Sequence, residues 1–159
     1  MNKYVQKANA EIVKALSTGD DVVLAKVDKL YVVTIRPFAV GHILTEEQIF
    51  FAVDKAKYNA KLSEEAFTEL LNIKNTVAPE NQLTATGNYY TPNGKTFLKE
   101  LKSDKCNVWV NSAFVKDLEP FCTYFQESAE TAKANRECLP VLVIMDGDPV
   151  RIVLPMRKF

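Results

Sequence analysis

The stretch LPVLVIMDGDPVRIVLP, residues 139–155, constrains the fold more than any other part of the chain. Two β-branched and aliphatic runs, PVLVIM and VRIVLP, flank Asp146-Gly147-Asp148, and this pattern predicts an antiparallel hairpin. The second run carries on almost to the end of the sequence, PVRIVLPMRKF, where chains more often fray and turn polar. An apolar last strand has a plain structural origin if it lies inside a sheet, with Pro155 stopping the ladder.

Upstream, Val5, Ala8, Ile12 and Leu16 recur at helical spacing and Gly19 follows, so an amphipathic helix is expected over residues 3–17. DVVLAKV and LYVVTI, separated by Asp28-Lys29, read as a hairpin, and RPFAVGHIL reads as irregular or extended. Thr45-Glu46-Glu47-Gln48 matches a capping box and predicts a helix from about Glu46 carrying Ile49, Phe50 and Val53. Ser63, followed by Glu64 and Glu65, predicts a second helix start, with Phe67, Leu70 and Leu71 on its buried face.

The turn-rich stretch near 74–95, with Asn93-Gly94, is expected to be an internal connection or a loose hairpin. CNVWV and FCTYF read as strands. Between them Asn111 or Ser112 can cap a short helix, AFVKDLE, that Pro120 ends. Residues 126–138 are polar and expected to be exposed. Strands and helices interleave without a βαβ rhythm. The expectation is therefore one α+β domain over 1–159, an antiparallel sheet with packed helices.

With 47% hydrophobic residues the chain can bury a core without metals or disulfides. Twenty basic and twenty acidic residues cancel, which argues against strong non-specific nucleic-acid binding and leaves room for a local basic face. Cys106, Cys122 and Cys138 are far apart and odd in number, and read as free thiols in a reducing compartment. The opening MNKYVQKANAEIVKAL holds no apolar core of leader length, and no window has the length of a membrane span. These points set the expectation of a cytoplasmic protein without membrane contact.

Catalytic chemistry finds little support. His42 is the single histidine, so a histidine metal cluster within one chain is excluded, and a dyad would have to join it to a distant cysteine. No phosphate-cradling glycine loop and no nucleophile elbow occurs. Glu46-Glu47 and Glu64-Glu65 suit helix starts, and Asp146-Gly147-Asp148 lacks the other ligands of a calcium loop. The expectation is no enzyme, no metal and no cofactor.

Two features suit binding. Lys3, Lys7 and Lys14 fall in a stripe roughly 40° wide opposite the apolar helix face, where they could track phosphates or simply be solvated. Tyr89-Tyr90 lie near Lys95, Lys99, Lys102 and Lys105. Aromatics beside lysines can stack bases, or the tyrosines can pack one side of a hairpin on the core. Trp109 reads as a core anchor.

The stretch from Asn107 to Arg157 resembles the end of the last domain of bacterial DNA polymerase sliding clamps. The resemblance lies in VWVNSAFVKDLEPF, LPVLVIM and the closing RIVLPMR, and covers about a third of the chain. It implies a DNA-clamp-like α+β domain whose final strand walls a hydrophobic pocket for short peptides of polymerases and repair factors. Ile152, Leu154, Pro155 and Met156 would then be pocket residues, Arg157 would stand at the rim, and Lys3, Lys7 and Lys14 would face DNA. Clamp subunits contain three such domains where this chain has room for one, and Lys158-Phe159 extends past the usual end. The functional expectation is a non-catalytic binding protein acting on DNA or nucleic-acid-processing machinery, with a protein partner such as a replication factor or nuclease complex, and DNA or RNA as a further ligand. The competing expectation is a phage or mobile-element inhibitor of a host defence nuclease, anti-CRISPR-like, acting by protein–protein contact.

Overall fold

Val5, Ala8, Ile12 and Ala15 return every three or four residues, and that spacing gives the first helix a single apolar stripe. The computed structural model describes residues 2–36, 38–58, 67–132 and 135–156. They form a mixed α+β architecture in which antiparallel sheet predominates. The chain divides into two compact units, residues 1–68 and 69–159. Among the described residues no helix is long and apolar enough to cross a membrane.

In the first unit α1 (Lys3–Thr18) ends at Gly19, whose φ of 79° lets its amide reach the carbonyls of Ala15 and Leu16. The α1 stripe is buried with Val22 and Leu24 of β1 (Val22–Val27), Val33 of β2 (Leu30–Ile35), Leu44 of β3 (Val40–Thr45) and Phe51. β1, β2 and β3 form an antiparallel meander, and β4 (Lys57–Tyr58) adds to β1 in parallel. β3 occupies part of the stretch expected to be irregular or extended: Gly41 and His42 hide its alternation, yet its central four residues are buried.

The helix expected from Glu46 stops after one 3-10 turn, Glu46–Gln48. Its capping box is present, with the Thr45 amide donating to Gln48 Oε1 at 3.0 Å. The continuation is intercepted by Asn9 of α1. Asn9 Nδ2 donates to the Gln48 carbonyl at 2.8 Å, and Asn9 Oδ1 accepts the Phe50 amide at 2.8 Å. A tertiary side chain takes up backbone groups that another helical turn would have used. Of the second expected helix, Ser63, Glu64 and Glu65 lie outside the described residues, while Phe67, Leu70 and Leu71 are buried.

The second unit begins with a one-turn helix, α2 (Ile73–Thr76), and a 3-10 turn, Pro79–Asn81. Six strands follow: β5 (Gln82–Tyr90), β6 (Leu98–Lys102), β7 (Asn107–Asn111), β8 (Cys122–Phe125), β9 (Val141–Met145) and β10 (Asp148–Val153). Their order is β10-β9-β8-β5-β6-β7, with every pair antiparallel. The arrangement is two meanders, β5-β6-β7 and β8-β9-β10, joined through their first strands. The β9–β10 hairpin stands where the sequence puts it, with Asp146 at φ 52° and Gly147 at φ 82° making the turn.

The 74–95 stretch, expected to be a connection or a loose hairpin, contains the longest strand. β5 pairs with β8 at Gln82 and Leu83, then with β6 from Thr84 to Tyr90. Between Ala85 and Tyr89 it bulges, with Gly87 at φ 86°. Asn93-Gly94 lies in the longer link to β6, where Asn93 Oδ1 accepts the amides of Lys95 and Thr96. The expected helix AFVKDLE is a 3-10 turn, Ser112–Phe114, followed by further turns to Pro120. Asn111 caps it by accepting the Ala113 amide at 3.0 Å.

Replacing Asn9 by Ala should lower the stability to urea unfolding by about 1–3 kcal/mol, because it strands two backbone groups at the α1 contact. An unchanged midpoint and slope would show that Asn9 does not hold the 45–50 segment.

Candidate partner-binding surface

β10 ends at Val153, but the chain keeps an extended course for three more residues and meets β7. The Met156 amide donates to the Trp109 carbonyl at 2.7 Å, an isolated antiparallel bridge. The segment just past β10 therefore touches β7 through this one bridge.

Two buried cations organise the same region. Arg151 of β10 is almost wholly enclosed, and its Nη1 and Nη2 reach the Asp117 carboxylate at 2.7 and 3.0 Å. Nη1 also donates to the Phe114 carbonyl at 2.8 Å. Lys99 of β6, equally enclosed, pairs with Glu119 and lies 5.9 Å from the centre of the Tyr124 ring. Asp117 and Glu119 sit two residues apart on the link between β7 and β8, and the neighbouring Val115 and Leu118 are buried. One short segment thus neutralises a cation on β6 and another on β10.

On one face of β6 and β7 lies a polar knot. Glu100 Oε1 accepts from Thr86 Oγ1 at 2.8 Å and Asn88 Nδ2 at 3.1 Å, and Oε2 accepts from Asn107 Nδ2 at 3.0 Å. The Thr86 and Asn88 donors, followed by Asn107, hold the carboxyl below its ordinary value against the opposing effect of burial. Thr86 and Asn88 belong to the β5 bulge, so the bulge aims both side chains at one carboxylate.

Trp109 is paired directly opposite Glu100 and shares its face. Its ring meets Tyr90 edge-on, with centroids 6.3 Å apart. Trp109 and Tyr90 are both half-buried, and Met156 completes the row from the other side of β7. Leu154 is 41% exposed and Met156 42%, with half-buried Pro155 between them. The result is an apolar row of Tyr90, Trp109 and Met156 beside a fixed carboxylate, with exposed Leu154 two residues before Met156 in the chain.

The residues singled out in the sequence divide. Ile152 is buried and paired with Leu142 inside the second unit, whereas Leu154 and Met156 face outward. Arg157 lies outside the described residues. Lys3, Lys7 and Lys14 are exposed on α1, but Glu11 borders their stripe, 4.0 Å from Lys7. Glu11 also meets the buried His42 Nε2 at 2.9 Å. Of the lysines near Tyr89-Tyr90, Lys99 is enclosed and Lys105 reaches the Glu80 carbonyl, while Tyr89 is exposed. Trp109 is a half-exposed member of the surface rather than a core anchor. Sequence reasoning did not single out Arg151, although a lone charge inside an apolar strand run is a visible signal.

Because the folded Glu100 carboxyl lies below its ordinary pKa of 4.5, its charge stabilises the fold fully above that pH and progressively less as pH falls through the depressed value. The stability gap between wild type and Glu100→Gln should be wide at about pH 7 and narrower at about pH 3 in urea unfolding. Equal gaps would contradict the role of the three donors. No protein-family model matches this sequence, and no curated protein or solved structure matches it either.

Proposed function

We propose that the chain is a non-catalytic binding protein of nucleic-acid-processing machinery. It engages a protein partner through the apolar row of Tyr90, Trp109 and Met156, together with exposed Leu154 and its neighbour Pro155. The observation that carries this reading is the 2.7 Å bond from the Met156 amide to the Trp109 carbonyl. That bond holds the end of the described chain as a strand continuation, so Leu154 and Met156 are displayed on an ordered backbone. Exposed apolar side chains on a rigid support suit a docking surface, because little ordering entropy is lost on binding. Aromatic residues beside them supply the large contact area that such surfaces concentrate.

The clamp resemblance supports the same face, since it assigns Leu154, Pro155 and Met156 to peptide capture. It also assigns Ile152, which sits in the core and would act only by supporting the strand. Protein contact is favoured over direct DNA contact because the lysine stripe of α1 has Glu11 at its edge, paired with Lys7. Mixed charge of this kind weakens phosphate tracking.

The test is capture of a partner by immobilised protein from a nuclease-treated native lysate. Wild type should retain a protein that the double variant Leu154→Asp, Met156→Asp loses, with the variant shown to be folded by circular dichroism. Changing Lys3, Lys7 and Lys14 to Glu should leave capture intact. Retention by the aspartate variant, or loss only in the lysine variant, would overturn the reading.

A further inference from the structure

We propose that the partner engaged by this surface presents a lysine side chain, seated against Tyr90 and Trp109 beside Glu100. The inference rests on the docking surface proposed above and names the chemistry of what that surface receives. Tyr90 and Trp109 meet edge-on, with 71° between their planes and 6.3 Å between their centroids. Both are half-buried, neither sealed in the core nor free in solvent. The face of an aromatic ring is negative and attracts a cation within about 6 Å of its centroid. With the two centroids this close, one cation can lie within that range of both.

The strand register supplies the charge. β6 and β7 place Glu100 directly opposite Trp109, and directly opposite residues share a face, with Cβ atoms about 4.5–5.5 Å apart. β5 and β6 pair Tyr90 with Leu98, two residues before Glu100, so Tyr90 belongs to the same face. Met156, bridged to Trp109, extends that face and is 42% exposed. The row from Tyr90 through Leu98, Glu100 and Trp109 to Met156 therefore carries one formal charge, and it is negative. Charge complementarity calls for a cation. The protein's own Lys102 stands opposite Asn107, at the end of β6 away from Tyr90. The Thr86 and Asn88 hydrogen bonds lead the influences that keep the Glu100 carboxyl below its ordinary value, and Lys102 comes last among them.

The hydrogen-bond inventory selects the kind of cation. A carboxylate offers about four acceptor positions, and Thr86, Asn88 and Asn107 occupy three of them on Glu100. Too little acceptor capacity remains for the two-pronged fork of an arginine. A lysine ammonium is a compact point charge that draws on the field of the carboxylate and the ring faces without needing paired acceptors. Its aliphatic stem can lie along the Met156 side chain.

Trp109 is the only tryptophan of the chain, so its fluorescence and its indole N–H resonance report on this position alone. The full-length protein is titrated with the peptide acetyl-Leu-Lys-Leu-amide, and with the same peptide carrying norleucine or arginine in place of lysine. The lysine peptide should shift the Trp109 signals saturably and bind about fivefold more tightly than the norleucine peptide. The arginine peptide should bind no more tightly than the lysine peptide. The lysine-to-norleucine affinity ratio should fall to about one in Glu100→Gln and should also drop in Tyr90→Leu, both shown to be folded by circular dichroism. Added salt should lower the ratio in wild type, a readout that needs no variant. Equal binding of the lysine and norleucine peptides, tighter binding of arginine, or a ratio unmoved by Glu100→Gln would overturn the lysine inference and leave the apolar docking surface standing. No Trp109 shift with any of the peptides would overturn the inference together with the surface it rests on.

Discussion

Arg151 and Lys99 are the constraint around which the second unit is arranged. A guanidinium and an ammonium cannot be enclosed without partners: breaking one buried pair costs about 3–5 kcal/mol. Both partners, Asp117 and Glu119, come from the same short link. That link must therefore lie where β6 and β10 can reach it together, and its own Val115 and Leu118 fill the interior beside it. The Arg151 contacts to Asp117 and the Phe114 carbonyl also bring the end of β10 next to the end of β7. From there Met156 has only to extend to meet Trp109. The bridge of Met156 to β7 and the display of Leu154 and Met156 follow from the same buried charges.

A second polar constraint shapes the opposite strand. Glu100 collects Thr86, Asn88 and Asn107, and in doing so pins the β5 bulge against β6 and β7. The apolar face of Trp109 and Tyr90 is thereby framed by a satisfied carboxylate. Polar groups specify the shape here, and the aliphatic core supplies the bulk of the burial.

The parts of this fold that are legible in the sequence are those whose signals are local. The α1 stripe with Gly19 and the β9–β10 hairpin with Asp146-Gly147 carry period and turn chemistry within a few residues. β5 and β6 escape because their signals are not local. Most of β5 is exposed and lacks alternation, and LKELK in β6 looks like a surface sequence. Lys99 and Glu100 are buried only because partners up to twenty residues away satisfy them. The helix after Thr45 was written in its cap and undone by Asn9, forty-one residues before its Phe50 partner in sequence separation. At the surface, Leu154 and Met156 were recognisable from the closing strand, whereas their neighbours Trp109 and Tyr90 depend on a pairing between residues far apart in the chain.

The most direct measurement is amide hydrogen exchange at Met156, by NMR, in wild type and in Asp117→Asn. If the buried charge pair sets the contact of Met156 with β7, the Met156 amide is protected in wild type. In the variant it exchanges much faster, while the β9–β10 ladder amides stay protected. Unprotected Met156 in wild type, or protection undiminished in the variant, would contradict the account.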